Sequence, residues 1–150
     1  MALNFNQFAK EANKFINDYT KELNLNGDTE KAGRILSSIL HGLRELISTE
    51  ESIQLIAQFP MFLKAVYVNG WSPKQKKTKV KTMDDFIDLV KSFDSPSEIS
   101  DFGYDNDLAE NYIYTTFIKL RKYISLGEIE DIRSELPKDL KDMVYHSIMF

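Results

Sequence analysis

The sequence contains no cysteine, only two histidines and only six glycines in 150 residues. Without cysteine the chain forms no disulfide, no thiolate metal site and no cysteine nucleophile. The two histidines, His41 and His146, lack the three- or four-residue spacing of a helical metal site. The glycines form no phosphate-binding loop, and no serine occupies a nucleophile elbow. We therefore predict no metal, no cofactor and no catalytic residues.

Long apolar runs are also missing. No uninterrupted apolar stretch approaches the ~20 residues that a membrane-spanning helix needs. The first six residues lack the basic start and apolar run of a secretory signal. At 43% hydrophobic and 28% charged residues, the composition is typical of a folded globular domain. These features predict a cytoplasmic protein with no membrane span.

Apolar residues recur at spacings of three and four, which predicts an all-α fold. No segment shows the sustained alternation of a strand. One predicted helical stripe comprises Phe5, Phe8, Ala9, Ala12, Phe15, Ile16, Tyr19 and Leu23. The next comprises Ala32, Ile35, Leu36, Ile39, Leu40, Leu43, Leu46 and Ile47. A short helix carrying Ile53, Leu55 and Ile56 follows, and then one through Leu63, Val66 and Tyr67.

Capping residues mark where the predicted helices begin. Asp28 is a predicted N-cap, and Pro60 fits a first helical turn. Ser48 with Glu51 has the form of a capping box, in which the serine hydroxyl accepts from the glutamate N–H and the carboxylate reaches back to the serine N–H. Ser125 with Glu128 repeats this box, and Thr82 with Asp85 forms a weaker one. Adjacent acids such as Glu50-Glu51 and Glu130-Asp131 are explained by the dipole at a helix start.

A shift of 77 residues superimposes one part of the chain on another. Ten of 43 ungapped positions are then identical, against roughly 6% expected for unrelated segments of ordinary composition. The pairs include Asp28 with Asp105, Ser48 with Ser125, and Pro60 with Pro137. This predicts two tandem four-helix units related by an internal duplication and packed as one compact helical bundle. The expected boundaries are residues 1–71 for the first repeat, 72–82 for a basic linker and 83–150 for the second repeat.

One segment resembles a known family. Residues 57–64, Ala-Gln-Phe-Pro-Met-Phe-Leu-Lys, are followed by Tyr67 and then by Gly70-Trp71-Ser72-Pro73. This pattern is similar to the signature of the bacterial family called domain of unknown function twenty-two sixty-seven. The resemblance implies a small all-helical bacterial protein. It implies no activity, so no functional residues are carried over.

The net charge of −4 is unevenly distributed. Residues 71–82 contain five lysines and no acid, whereas residues 83–150 have a balance of −8. The lysines are Lys74, Lys76, Lys77, Lys79 and Lys81. They are interpreted either as a linker that pairs loosely with the acidic half or as a site for an anionic surface, nucleic acid or lipid. The segment has neither arginine nor an interleaved aromatic residue, which argues against nucleic acid as the partner.

Four further residues are candidate binding residues. Trp71, with Tyr67 on the preceding helix, is interpreted either as an anchor for a partner or as a cap over the seam between the repeats. Arg44 and Arg121 occupy equivalent positions under the 77-residue shift. They are expected to bond Glu51 and Glu128 or nearby carbonyls, with a paired anion site as the alternative.

These observations favour a small helical binding protein without catalytic activity. Its partner is expected to be another protein or a second copy of the chain, since helical grooves commonly receive helices. One alternative is a small-ligand or enzymatic site at the seam between the repeats, which requires an apolar cavity with a few inward polar groups. The other is binding of an anionic surface through the lysines.

Overall fold

The computed structural model describes residues 3–72, 79–94 and 100–145. Within these ranges it contains eight α-helices and no strand, which confirms the all-α prediction. The helices are α1 Phe5–Glu22, α2 Thr29–Leu46, α3 Thr49–Gln58, α4 Met61–Val68, α5 Met83–Ser92, α6 Asn106–Leu120, α7 Leu126–Glu135 and α8 Lys141–Tyr145. Short 3-10 turns at Arg121–Tyr123 and Lys138–Leu140 precede α7 and α8. None of the described helices is both long and apolar enough to cross a bilayer.

The predicted helix starts are confirmed. The Asp28 carboxylate accepts a hydrogen bond from the Lys31 N–H at 3.1 Å and so caps α2. At α5 both halves of the Thr82–Asp85 capping box are present. Such side chains satisfy backbone N–H groups that have no partner within the first turn. The sequence therefore determines where these helices begin.

Helices α2 and α6 occupy the centre of the fold. Helix α2 packs against α1, α4, α5 and α6, while α6 also packs against α1, α5 and α8. The apolar stripe of α2 is buried as predicted, with Leu46 at its edge. A buried hydrogen bond of 2.7 Å between Tyr19 Oη and Thr116 Oγ1 links α1 to α6.

The predicted stripe of α1 is only partly correct. Phe15, Tyr19 and Leu23 are buried, but Phe5 is 71% exposed. Its ring contacts Phe8 of the same helix, edge to face, with 6.0 Å between the ring centroids. Periodicity identifies the apolar side of a helix, but it does not determine how many turns the neighbouring helices cover. Ile53, which was predicted as an apolar residue of α3, is also exposed, by 58%.

Candidate functional site

The N-terminal ends of α3 and α7 are capped as the sequence predicts. The Ser48 hydroxyl accepts from the Glu51 N–H at 3.1 Å, and the Ser125 hydroxyl accepts from the Glu128 N–H at 3.2 Å. Each cap therefore holds a glutamate at the third position of its helix. Both glutamates are buried, being 7% and 4% exposed.

The reciprocal half of the capping boxes predicted at Ser48 and Ser125 is wrong. The Ser48 N–H and hydroxyl donate to the carboxylate of Glu135, and the Ser125 N–H donates to Gln58 Oε1 at 2.7 Å. The Gln58 amide in turn donates to Ser125 Oγ at 3.1 Å. The last turn of each helix thus caps the start of the other, so α3 and α7 run antiparallel. Ser48 and Ser125, like Gln58 and Glu135, are 77 positions apart.

We call these bonds between the two helices the exchanged caps. Because they replace the predicted bonds from Glu51 and Glu128, the carboxylates of these two residues face each other. One oxygen from each of them and one from Asp131 all lie within 4.8 Å of one another. Asp131 is exposed, so the group opens to solvent on one side. The Oε1 atoms of Glu51 and Glu128 are buried and make no hydrogen bond. We call these three residues the carboxylate cluster.

Burial, together with the adjacent Glu51 carboxylate, raises the pKa of Glu128 to about 8. The charges of Asp131 and Glu135 add to this effect. Burial disfavours an ionised carboxylate, and a second carboxylate at hydrogen-bond distance disfavours it again. The pKa of the Glu128 carboxyl therefore lies well above that of an ordinary glutamate.

A small apolar cavity lies at the same seam. It has a volume of about 20 Å³ and is lined by residues from both parts of the chain. These include Leu43, Leu55 and Phe59 from the first part, with Phe117, Ile129 and Ile132 from the second. Pockets for small ligands usually measure roughly 300–1,000 Å³. This cavity is large enough for about one water molecule, so it does not meet the requirement of a small-ligand site.

Three of the residues singled out from the sequence lie around the end of α4. Arg44 is buried, and its Nη1 donates to the carbonyls of Tyr67 at 2.8 Å and Asn69 at 2.7 Å. The Tyr67 hydroxyl is 2.7 Å from Ser52 Oγ, and its ring packs edge to face against the half-buried Trp71. Of the two roles predicted for Arg44, the structure shows the carbonyl contacts. Arg44, Tyr67 and Trp71 therefore form one group that holds the end of α4.

The other predicted residues lie apart from this group. Arg121 is half-buried and lines the small cavity at the seam. Lys79 and Lys81 are exposed. Lys74, Lys76 and Lys77 lie outside the described residues, as does His146. His41 is half-buried, and its Nε2 lies 2.8 Å from the Val66 carbonyl.

Helix α4 exposes an apolar face that the sequence analysis did not identify. Its one charged side chain, Lys64, donates to the Ile56 and Ala57 carbonyls at the end of α3. Met61, Ala65 and Val68 follow one another at spacings of four and three and are all exposed, the first and last by 42% and 43%. We call these three residues the α4 face. The sequence signal was a helix that is apolar on every side, which normally indicates a covered helix.

Two of the three positions of the α4 face have charged counterparts 77 residues later in the chain. Lys138 and Asp142 stand 77 residues after Met61 and Ala65, and both are exposed. Charged residues at exposed helix positions are the ordinary pattern. The apolar face is therefore a property of α4 rather than a general feature of this fold.

The exchanged caps provide a direct test of the α3–α7 contact. We expect Glu135→Ala to lower the free energy of unfolding by about 1–2 kcal/mol, because it removes a charge-assisted cap from Ser48. Gln58→Ala should cost about 1 kcal/mol, since its bonds to Ser125 are neutral. Urea unfolding measures both, with the exposed Gln54→Ala in α3 as the control. Equal stability of Glu135→Ala and the control would contradict the exchange.

None of the curated proteins matches the chain. The model of the family described as "Uncharacterized conserved protein (DUF2267)" matches residues 12–143. This range includes helices α2 to α7 in full and parts of α1 and α8. The match extends across both the exchanged caps and the α4 face. The chain belongs to the DUF2267 family.

Proposed function

We propose that this protein is a non-catalytic helical module that binds an apolar helix of a partner protein on the α4 face. The observation that carries this proposal is the exposure of Met61, Ala65 and Val68 on a helix whose only charged side chain, Lys64, bonds to the end of α3. Apolar side chains at this spacing are the kind of stripe that a partner helix covers. Covering them removes apolar area from water, at about 25 cal/mol per Å².

The neighbouring residues give the α4 face a firm support. Arg44 holds the carbonyls at the end of α4, and the Tyr67 hydroxyl anchors the helix to Ser52 of α3. A rigid surface loses little entropy on binding, so the contact energy is retained as affinity. Trp71 lies three residues after the end of α4 and is half-exposed. In this proposal Arg44 and Tyr67 position the α4 face, while Trp71 offers the partner a further apolar contact at the end of the helix.

Charge favours an acidic partner. Five lysines follow α4 within residues 71–82, and the two described ones, Lys79 and Lys81, are exposed. A positive segment that follows α4 in the sequence favours a partner helix that carries acidic residues next to its apolar stripe. The lysines then steer association rather than bind an anionic surface by themselves. Binding of nucleic acid or lipid by the lysines alone would instead fall steeply with salt.

The organisation that we propose around this face is two tandem four-helix units, residues 1–71 and 83–150, joined by the basic linker 72–82. The exchanged caps between positions 77 residues apart support it, because an isologous contact pairs each residue with the equivalent of its partner. The bonds from Lys64 to the Ile56 carbonyl and from Lys141 to the Arg133 carbonyl are related by the same shift. A cytoplasmic location remains a prediction.

The test uses a photo-crosslinking amino acid at position 65, with position 142 as the matched control. We expect position 65 to capture a specific partner in cells and position 142 not to capture it. The double variant Met61→Lys, Ala65→Asp then introduces the charged residues of the equivalent positions and should weaken binding of the purified partner at least about tenfold. Circular dichroism checks its fold. Equal capture at the two positions, or unchanged affinity of the double variant, would refute the proposal.

A further inference from the structure

The carboxylate cluster brings three acidic side chains together from two helices. Glu51 comes from the first turn of α3, whereas Glu128 and Asp131 lie on successive turns of α7. The hydrogen bonds that cap the starts of α3 and α7 come from Ser48, Ser125, Gln58 and Glu135. The glutamates of the cluster are therefore not needed for the capping role that the sequence predicts.

Two buried oxygen atoms in the cluster lack a partner. Glu51 and Glu128 are each more than nine-tenths buried, and the Oε1 atom of each accepts no hydrogen bond within the described part of the chain. A buried polar atom without a partner costs about 1–3 kcal/mol, and more when it is charged. Native structures place a proton, a water molecule or an ion at such a position. The cluster therefore points to an additional species between α3 and α7.

We propose that Glu51, Glu128 and Asp131 bind a hard divalent cation, of the Mg²⁺, Mn²⁺ or Ca²⁺ class, that bridges α3 and α7. All three ligand atoms are carboxylate oxygens, which these cations prefer, and no sulfur or imidazole is present to favour zinc or copper. A separation within 4.8 Å places all three oxygens around one ion at metal–oxygen distances of about 2.0–2.6 Å.

The placement of the three side chains also fits the coordination that these ions need. The two buried glutamates are fixed on helices, so their oxygens are preorganised for binding. Asp131 is exposed, which leaves the remaining coordination positions open to water. Mg²⁺ and Ca²⁺ sites commonly retain such water ligands. Because Glu51 and Glu128 lie on different helices, the bound ion would stabilise the contact between the two parts of the chain.

The test is a titration of the chelator-treated full-length protein with MgCl2, CaCl2 and MnCl2 at pH 8. We expect saturable binding of one ion in calorimetry, together with a higher Tm, because a ligand that binds only the folded state stabilises it. Asp131→Asn should weaken this binding at least about tenfold. Asp131 is exposed, so the variant is expected to fold. Glu130→Gln, its neighbour on α7, is the matched control and should bind as the wild type does.

Two results would overturn the proposal. One is the absence of binding by all three ions up to about 10 mM, which lies above the dissociation constants of weak calcium sites. The other is equal binding by the wild type and by the Glu51→Gln, Asp131→Asn double variant, which would place the ion elsewhere. A third result concerns the Glu128→Gln variant. If its Tm exceeds that of the wild type by the same amount with and without added ions, a proton alone occupies the cluster and the proposal is wrong. None of these results depends on the α4 face.

Discussion

Gly42→Ala is expected to lower the free energy of unfolding by about 1–3 kcal/mol, which is the usual cost of overpacking a core. A Cβ atom at Gly42 would lie 2.9 Å from Val90 Cγ2 and 3.2 Å from Phe86 Cε1. Both of these side chains belong to α5 and are fully buried, so they have no free space into which to move. The missing side chain at Gly42 is what lets α2 and α5 approach so closely.

Gly33→Ala provides a matched control within the same helix. A Cβ atom at Gly33 would meet no atom within 4 Å. Alanine should therefore stabilise α2 there by about 0.5–1 kcal/mol through its higher helix propensity. The two substitutions are chemically identical and are expected to have opposite signs. Urea denaturation of the two variants measures the difference, and a stabilising Gly42→Ala would contradict the close α2–α5 packing.

Glu128→Gln is expected to raise the Tm at pH 8 in the presence of a chelator and to lose this advantage toward pH 5. The pKa of Glu128 is about 8 in the folded protein, compared with 4.5 for an ordinary glutamate. The folded state therefore binds this proton more tightly than the unfolded state does. The corresponding stability is fully present below pH 4.5 and is lost as the pH rises through 8, with a slope of up to about 1.4 kcal/mol per pH unit.

Glutamine resembles the protonated glutamic acid in shape and hydrogen bonding, but it does not ionise. It should therefore match the wild type where Glu128 is protonated and exceed it where the wild type must ionise beside Glu51, Asp131 and Glu135. The measurement is the Tm of both proteins between pH 5 and 8.5, with Glu130→Gln as the control. Parallel curves over this range would show that Glu128 does not titrate there.

The capping boxes predicted at Ser48 and Ser125 show how far the sequence could predict this site, because only one of the two bonds in each box forms. Ser48 and Ser125 cap their own helices because the relevant N–H lies three residues away, and that distance is fixed by helix geometry. The Ser48 N–H, however, bonds to Glu135, which is 87 residues distant. No local rule chooses between Glu51 and Glu135 as its partner. The 77-residue shift pairs Glu51 with Glu128, but it does not state that the pair meets in space.

The sequence by itself determined that this chain is helical, where several of its helices begin, and which stripe of α2 is buried. These properties follow from the helical period and from hydrogen bonds between near neighbours, which act over a few residues. Only the tertiary structure decided that the Glu51 and Glu128 carboxylates meet and that α4 leaves Met61, Ala65 and Val68 exposed. Both depend on how distant helices pack, because packing decides which groups become neighbours and which faces lack a cover.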